Sequence, residues 1–145
     1  MKIFFDTSVL VAASVRSHPH YLQALPALER IRAGKDIGFI SGHSIAEVFA
    51  VLTRLPIVPR VHASEAIRII TGNLLPSLET VVASKKEYLD ALAIMEQGGW
   101  SGAKIYDVLL LICAEKCRAE RIYTFNLSDF RALAPPSSQN KICAP

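Results

Sequence analysis

The chain has 145 residues, 51% of them hydrophobic, with a formal net charge of +3. That length suits one domain, 1–145, with a sizeable core. The longest unbroken apolar run, Val108 to Ala114, is seven residues, far short of the about 20 that a membrane-spanning helix needs, so no membrane partner is expected.

Residues 2–5 read as a short buried strand. Asp6 then interrupts the apolar run where a secretory leader stays uniform, so a cytoplasmic start is expected. A helix over 7–15 follows and is broken by the "HPH" of His18–His20. A second helix runs to about 33 and is closed by Gly34. Residues 36–40 form a second strand, and a helix over 44–55 stops at Pro56. A further helix covers 63–74, and a third strand covers 79–83. The next helix, 85–97, is closed by Gly98 and Gly99, and another spans 102–118. A fourth strand covers 121–125, a weak one is expected at 141–143, and the stretch "APPSSQNK" from 134 reads as a loose, loop-like tail.

Strands alternate with helices, and the strands are apolar runs rather than strict alternations. That pattern indicates an α/β fold whose parallel sheet is covered on both faces. Ligands of such sheets gather beyond the carboxyl ends of the strands. The first strand ends at Phe5 and delivers Asp6, and the fourth ends at Phe125 and delivers Asn126. His18 and His20 flank Pro19 at a helix break, away from any strand's carboxyl end, and read as surface turn residues. Trp100, after two glycines, reads as a partly buried structural residue.

The acids have bland readings as well as chemical ones. Asp6 stands where Asp caps a helix, although Thr7 and Ser8 can do the same. Glu47 closes "SIAE", a capping-box pattern, yet it lies opposite the stripe Ile45, Val48, Phe49, Leu52 and Leu55, on the face of His43 and Arg54. Asp107 sits in "IYDVLLLICAEKC", apolar nearly all round and about six residues past any cap at Ser101. A buried carboxylate there must be paired, protonated or bound to a cation; Lys104 is the local candidate for the pair. Asp129 lies in "NLSDF" after the fourth strand. Several carboxylates gathered in one place repel each other unless divalent cations hold them. If these four meet, nine acids remain outside against sixteen Lys and Arg, a surface suited to a polyanion. The three cysteines form no C-x-x-C and too few ligands for zinc, so buried thiols in a reducing compartment are expected.

With these residues in place, the sequence resembles the PIN-domain family, and within it the VapC-type toxins of toxin–antitoxin pairs. Four segments carry the resemblance: "MKIFFDTSVLVAA", "SGHSIAEVFAVLTRLP", "GGWSGAKIYDVLLLICAEKC" and "RIYTFNLSDFRAL", in that order from residue 1 to about 133. The resemblance implies a PIN-like three-layer α/β/α fold with a central parallel sheet of four to five strands. It implies a ribonuclease dependent on Mg²⁺ or Mn²⁺ held by Asp6 and Asp107, with Glu47 assisting. Many family members carry an acid directly after the last core strand, where this chain has Asn126; Asp129 is the candidate substitute. The implied partners are RNA, a small antitoxin protein and a second copy of the toxin in a homodimer. Thr7, Ser8, Thr124 and Asn126 are then expected as supporting or substrate contacts, and Arg54 and Lys104 as basic residues for the RNA backbone. A dehalogenase-type phosphatase would need a second Asp where this chain has Ser8. A catalytically silent PIN domain that binds RNA or protein is the alternative reading.

Overall fold

The computed structural model describes residues 1–145. The N-terminal apolar run forms β1 (Lys2–Phe5), and its pleat decides the layering. Ile3 and Phe5 point into one core while Phe4 points into the other, as successive side chains of a strand must. All three are at most 1% exposed, which is why the run is continuous rather than alternating. β2 (Ile37–Ser41), β3 (Leu78–Val81), β4 (Arg121–Tyr123) and β5 (Ile142–Cys143) complete the sheet in the order β3-β2-β1-β4-β5. Every neighbouring pair is parallel.

Helices α1 (Thr7–Ser14), α2 (Tyr21–Arg32), α3 (Gly42–Leu52) and α4 (Ala63–Arg68) bury their apolar faces on the Ile3 and Phe5 side. Helices α5 (Lys85–Gly98), α6 (Lys104–Lys116) and α7 (Leu127–Leu133) pack on the Phe4 side. The result is the three-layer α/β/α arrangement, with five strands. From β1 the chain builds outward through β2 and β3, then crosses back to place β4 on the other flank of β1. The carboxyl ends of β1 and β4 therefore flank the point where strand order reverses, and such a crevice is where open parallel sheets bind ligands.

Several boundaries differ from the sequence reading, each for a local reason. Helix α3 begins at Gly42 instead of 44, because the Ser41 hydroxyl accepts the Ser44 amide at 2.9 Å and caps it. Helix α6 begins at Lys104 instead of 102, because Gly102 has a φ of +66° and a left-handed residue cannot continue the helix. That later start puts Asp107 in the first turn, where the helix dipole favours a negative charge, and not deep in the helix as expected. The helix expected over 63–74 is α-helical to Arg68 and continues as a π-helical turn, Ile69–Leu74. The expected loose tail contains a helical turn, α8 (Pro136–Gln139). Ser138 is fully buried and donates a hydrogen bond to Glu115, and Ile142 in β5 is 2% exposed, so this tail is packed rather than loose. All three cysteines are free, and Cys113 is buried.

Candidate active site

Asp6 leaves β1 with its amide donating to the Tyr123 carbonyl at 2.9 Å, which extends the β1–β4 pairing by one residue. Its side chain does not cap α1. Instead Asp6 Oδ2 accepts the Ser8 hydroxyl at 2.5 Å and the Thr124 hydroxyl at 2.8 Å. Both hydroxyls are themselves held by backbone amides: Phe125 N donates to Ser8 Oγ at 3.1 Å, and Asn126 N donates to Thr124 Oγ1 at 2.9 Å. Two amides at the exit of β4 thus reach one carboxylate oxygen through two hydroxyls. This fixes the Asp6 rotamer and leaves Oδ1 free of side-chain partners. Burial pushes the Asp6 carboxyl above its usual range; the Ser8 and Thr124 hydrogen bonds oppose this, and the Glu47 charge adds to the rise. Neither Thr7 nor Ser8 caps α1 either, since both hydroxyls serve carboxylates.

Glu47 does not close a capping box with Ser44. The cap is Ser41, and Glu47 Oε2 accepts the Thr7 hydroxyl at 2.8 Å. His43, one turn earlier on α3, stands 4.0 Å from the same oxygen. Its ring stacks on Tyr106 with centroids 4.6 Å apart and an interplanar angle of 6°. The stack ties the start of α3 to the start of α6, and so sets Glu47 opposite Asp107.

Asp107 is half-buried and receives no hydrogen bond. Its carboxyl is pushed up to about 6, first by burial and then by the charges of Asp6, Glu47 and Asp129, with Lys104 opposing weakly. The expected Lys104–Asp107 pair does not form. Lys104 Nζ stands 3.7 Å from Asp129 Oδ1 and 4.8 Å over the Trp100 ring. Asn126 Nδ2 donates to the other Asp129 oxygen at 3.1 Å. Asp129 therefore already has a cation and a donor, and it lies beside the pocket rather than in its lining.

Asp6, Glu47 and Asp107 line one cavity of about 440 Å³ at the β1–β4 crevice, with Thr7, Ser8 and Asn126. Arg54 is exposed and sits in a neighbouring shallow groove with Val51 and Leu55. Two residues read as surface turn are in the cavity wall: His18 and His20. The His20 ring stacks on Phe125, just past β4, so α1 does not carry the chain away from the carboxyl edge of the sheet. Proximity of "HPH" to strand one in sequence was the only signal for this. Trp100 is half-buried under Lys104, as expected.

The donor set suits a hard divalent cation. It is made of carboxylate oxygens with one amide nearby, and Mg²⁺ takes oxygen ligands while keeping several waters. The observation that fits is Asp107: a half-buried carboxylate with no donor, facing two more. No three His, Cys, Asp or Glu side chains stand close enough together to enclose an ion. The fit is thus to an open, partly hydrated site and not to a closed cage.

Comparisons with known proteins agree with this architecture. Residues 3–134 match the family model described as PIN domain. The sequence is 30% identical over 115 residues to "Ribonuclease VapC27" of Mycobacterium tuberculosis, covering 79% of this chain and 78% of that one. The fold matches the crystal structure of Mycobacterium tuberculosis VapC20, described as a Sarcin-Ricin loop cleaving toxin, with a TM-score of 0.68, 21% identity, and 90% and 93% of the two chains covered. It also matches VapBC2 from Rickettsia felis, solved bound to a DNA fragment from their promoter, with a TM-score of 0.62, 22% identity, and 91% and 93% covered. With the parallel sheet, the crevice at its reversal point and a family match over nearly its whole length, the chain belongs to the PIN-domain family.

Proposed function

We propose that the protein is an endoribonuclease that uses Mg²⁺ or Mn²⁺ to hydrolyse RNA phosphodiester bonds, and that it is the toxin of a type II toxin–antitoxin pair. The carrying observation is the convergence of Asp6, Glu47 and an unpartnered Asp107 on one cavity at the strand-order reversal. The relatives named as ribonuclease and as toxin support the substrate class. Asp6 and Asp107 are the residues that hold the cation, with Glu47 assisting. When bound, a divalent cation neutralises phosphate charge and lowers the pKa of water.

The chain's own residues do the rest. Ser8 and Thr124 hold Asp6 through Oδ2, and neither side chain engages Oδ1. Thr7 anchors Glu47 through Oε2, leaving Oε1 to accept the proton of a water aligned for in-line attack on phosphorus. The bond between phosphorus and the 3′-oxygen breaks, and that oxygen takes a proton from solvent water, leaving a 5′-phosphate and a 3′-hydroxyl. Asn126 holds Asp129, and with it Lys104, at the rim. Lys104 and Arg54 are placed outside the acids, where they attract backbone phosphates. A small antitoxin that covers this cavity, and a homodimeric toxin, belong to the same reading. So does a cytoplasmic location, which three free thiols suit; no helix is long and apolar enough to cross a membrane.

Purified protein is expected to cleave RNA in Mg²⁺ or Mn²⁺ and to stop in EDTA. Unchanged cleavage by Asp107→Asn would sink the assignment. Calorimetry with Mn²⁺ separates the alternative: RNA binding without any metal binding marks a silent binding module.

A further inference from the structure

We propose that the His18–Pro19–His20 turn is a nucleotide-binding wall of the acid cavity, with the His20 ring a stacking platform for an RNA base and His18 a hydrogen-bond donor to the same nucleotide. The inference takes its ligand from the ribonuclease reading and adds what the acids do not supply: a place for the base.

Both imidazoles line the cavity that holds Asp6, Glu47 and Asp107. At about 440 Å³ that cavity falls in the usual range of about 300–1,000 Å³ for small-ligand sites. The His20 ring lies on Phe125 with centroids 4.3 Å apart and an interplanar angle of 18°. Phe125 covers one face of His20, the tilted His18 ring stands 5.8 Å away, and the residue as a whole remains exposed. The amide of Phe125 donates to Ser8 Oγ, which donates to Asp6. The platform is therefore tied through Ser8 to the Asp6 carboxylate.

His18 is fixed differently. Its Nδ1 accepts the His20 amide at 3.1 Å, so the neutral ring carries its proton on Nε2. Burial, and then the neighbouring His20, push its pKa down, which keeps the ring neutral near pH 7. Pro19 fixes φ between the two rings and limits their drift apart. A stacked aromatic pair beside a neutral donor is the chemistry that recognises an unstacked base rather than a phosphate. Single-stranded RNA is held in this way on aromatic side chains, histidine included.

The test uses the full chain with fluorescent single-stranded oligo(A), oligo(C), oligo(U) and a guanosine-rich strand. Binding is read by anisotropy in EDTA and cleavage kinetics in Mn²⁺. His20→Ala is expected to weaken binding of at least one strand by about tenfold, raising KM while kcat holds. His20→Phe, which keeps the stack, restores it. His18→Ala costs about threefold, the size of one neutral hydrogen bond. Wild-type affinity of His20→Ala for every strand overturns the proposal, as does His20→Phe binding no better than His20→Ala. A loss of kcat at unchanged KM also overturns it, because the ring then supports Phe125 and the acids rather than a base. If wild type binds strands through His20 yet cleaves none, the wall stands and the ribonuclease reading fails. If wild type binds no strand, the wall fails.

Discussion

Asp6 and Asp36 are buried to the same degree, each 6% exposed, at opposite edges of neighbouring parallel strands. Their surroundings differ in depth and in charge. Asp36 accepts from Arg30 Nε at 2.7 Å and from the Met1 ammonium at 2.8 Å. The Arg30 hydrogen bond, and then that of the N-terminus, hold its carboxyl below the usual range. Asp6 has only neutral hydroxyls, and burial pushes its carboxyl up. Equal loss of exposed surface thus accompanies opposite pKa shifts, because Asp6 lies deep behind the sheet edge while Asp36 lies near the molecular surface beside its cations. A buried acid with its own cations is neutralised in place; one with orienting donors and no cation keeps either an uncompensated charge or a proton.

The largest break in that comparison comes from removing each charge. Asp6→Asn and Asp107→Asn are each expected to lower Mn²⁺-dependent RNA cleavage by about a hundredfold or more, with melting temperatures unchanged or higher. Asp36→Asn is expected to leave cleavage intact and lower the melting temperature by several degrees. Cleavage assays paired with thermal melts read both, and a swapped pattern would dissolve the distinction.

A smaller effect sharpens the Asp6 side. Thr124→Val keeps the side-chain shape but removes one of the two hydroxyl donors to Oδ2. It is expected to cost about tenfold in cleavage rate, with RNA affinity in EDTA unchanged.

The pH dependence of stability should separate the two edges next. The Asp107 carboxyl is raised from 3.8 to about 6, so the folded state binds more protons than the unfolded one across that interval. Stability of the metal-free protein therefore falls as pH rises from about 4 to about 6, by about 1 kcal/mol once solvent screening of this half-buried group is allowed for. Asp36 works with the opposite sign: its contribution is present above the unfolded pKa and is lost as acid protonates it below about pH 4. Differential scanning calorimetry with and without Mn²⁺ checks this, and the ion should remove the decline between pH 4 and 6. The smallest effect is at the rim. Lys104→Gln breaks an exposed pair, with little effect on the melting temperature, and removes one phosphate-attracting charge, which should weaken RNA binding by only about threefold.

The sequence made the class and the acids legible because both are local signals. Apolar runs alternating with helical stripes indicate a covered parallel sheet, and a residue directly after a strand sits at its carboxyl edge. Asp6 was readable on those terms. Glu47 stays open on local grounds, since its S-x-x-E context weighs about as much as its position opposite the apolar stripe; the structure gives the cap to Ser41. Asp107 was singled out for a partly mistaken reason: the helix starts two residues later than its pattern suggests, because Gly102 is left-handed. It lies in the first turn, and its isolation follows from Lys104 turning to Asp129. His18 and His20 are surface turn residues, as their sequence context indicates; that the turn returns to the carboxyl edge of the sheet is not legible, because helix length alone does not tell which edge a turn reaches.

By itself, then, the sequence determined the alternation of elements, the two-sided burial of the strands, and which carboxylates stand at strand ends or on a polar face. Pleat, helical period and turn chemistry act over a few residues and can be read from them. Only the tertiary structure decided the pairing of charges: Arg30 and the N-terminus to Asp36, Lys104 to Asp129, and none to Asp107. Those pairings depend on the strand order β3-β2-β1-β4-β5, which brings residue 6 beside 124 and 107 opposite 47. A Coulomb interaction is set by the final distance between groups, and that distance is a property of the assembled sheet rather than of any segment in it.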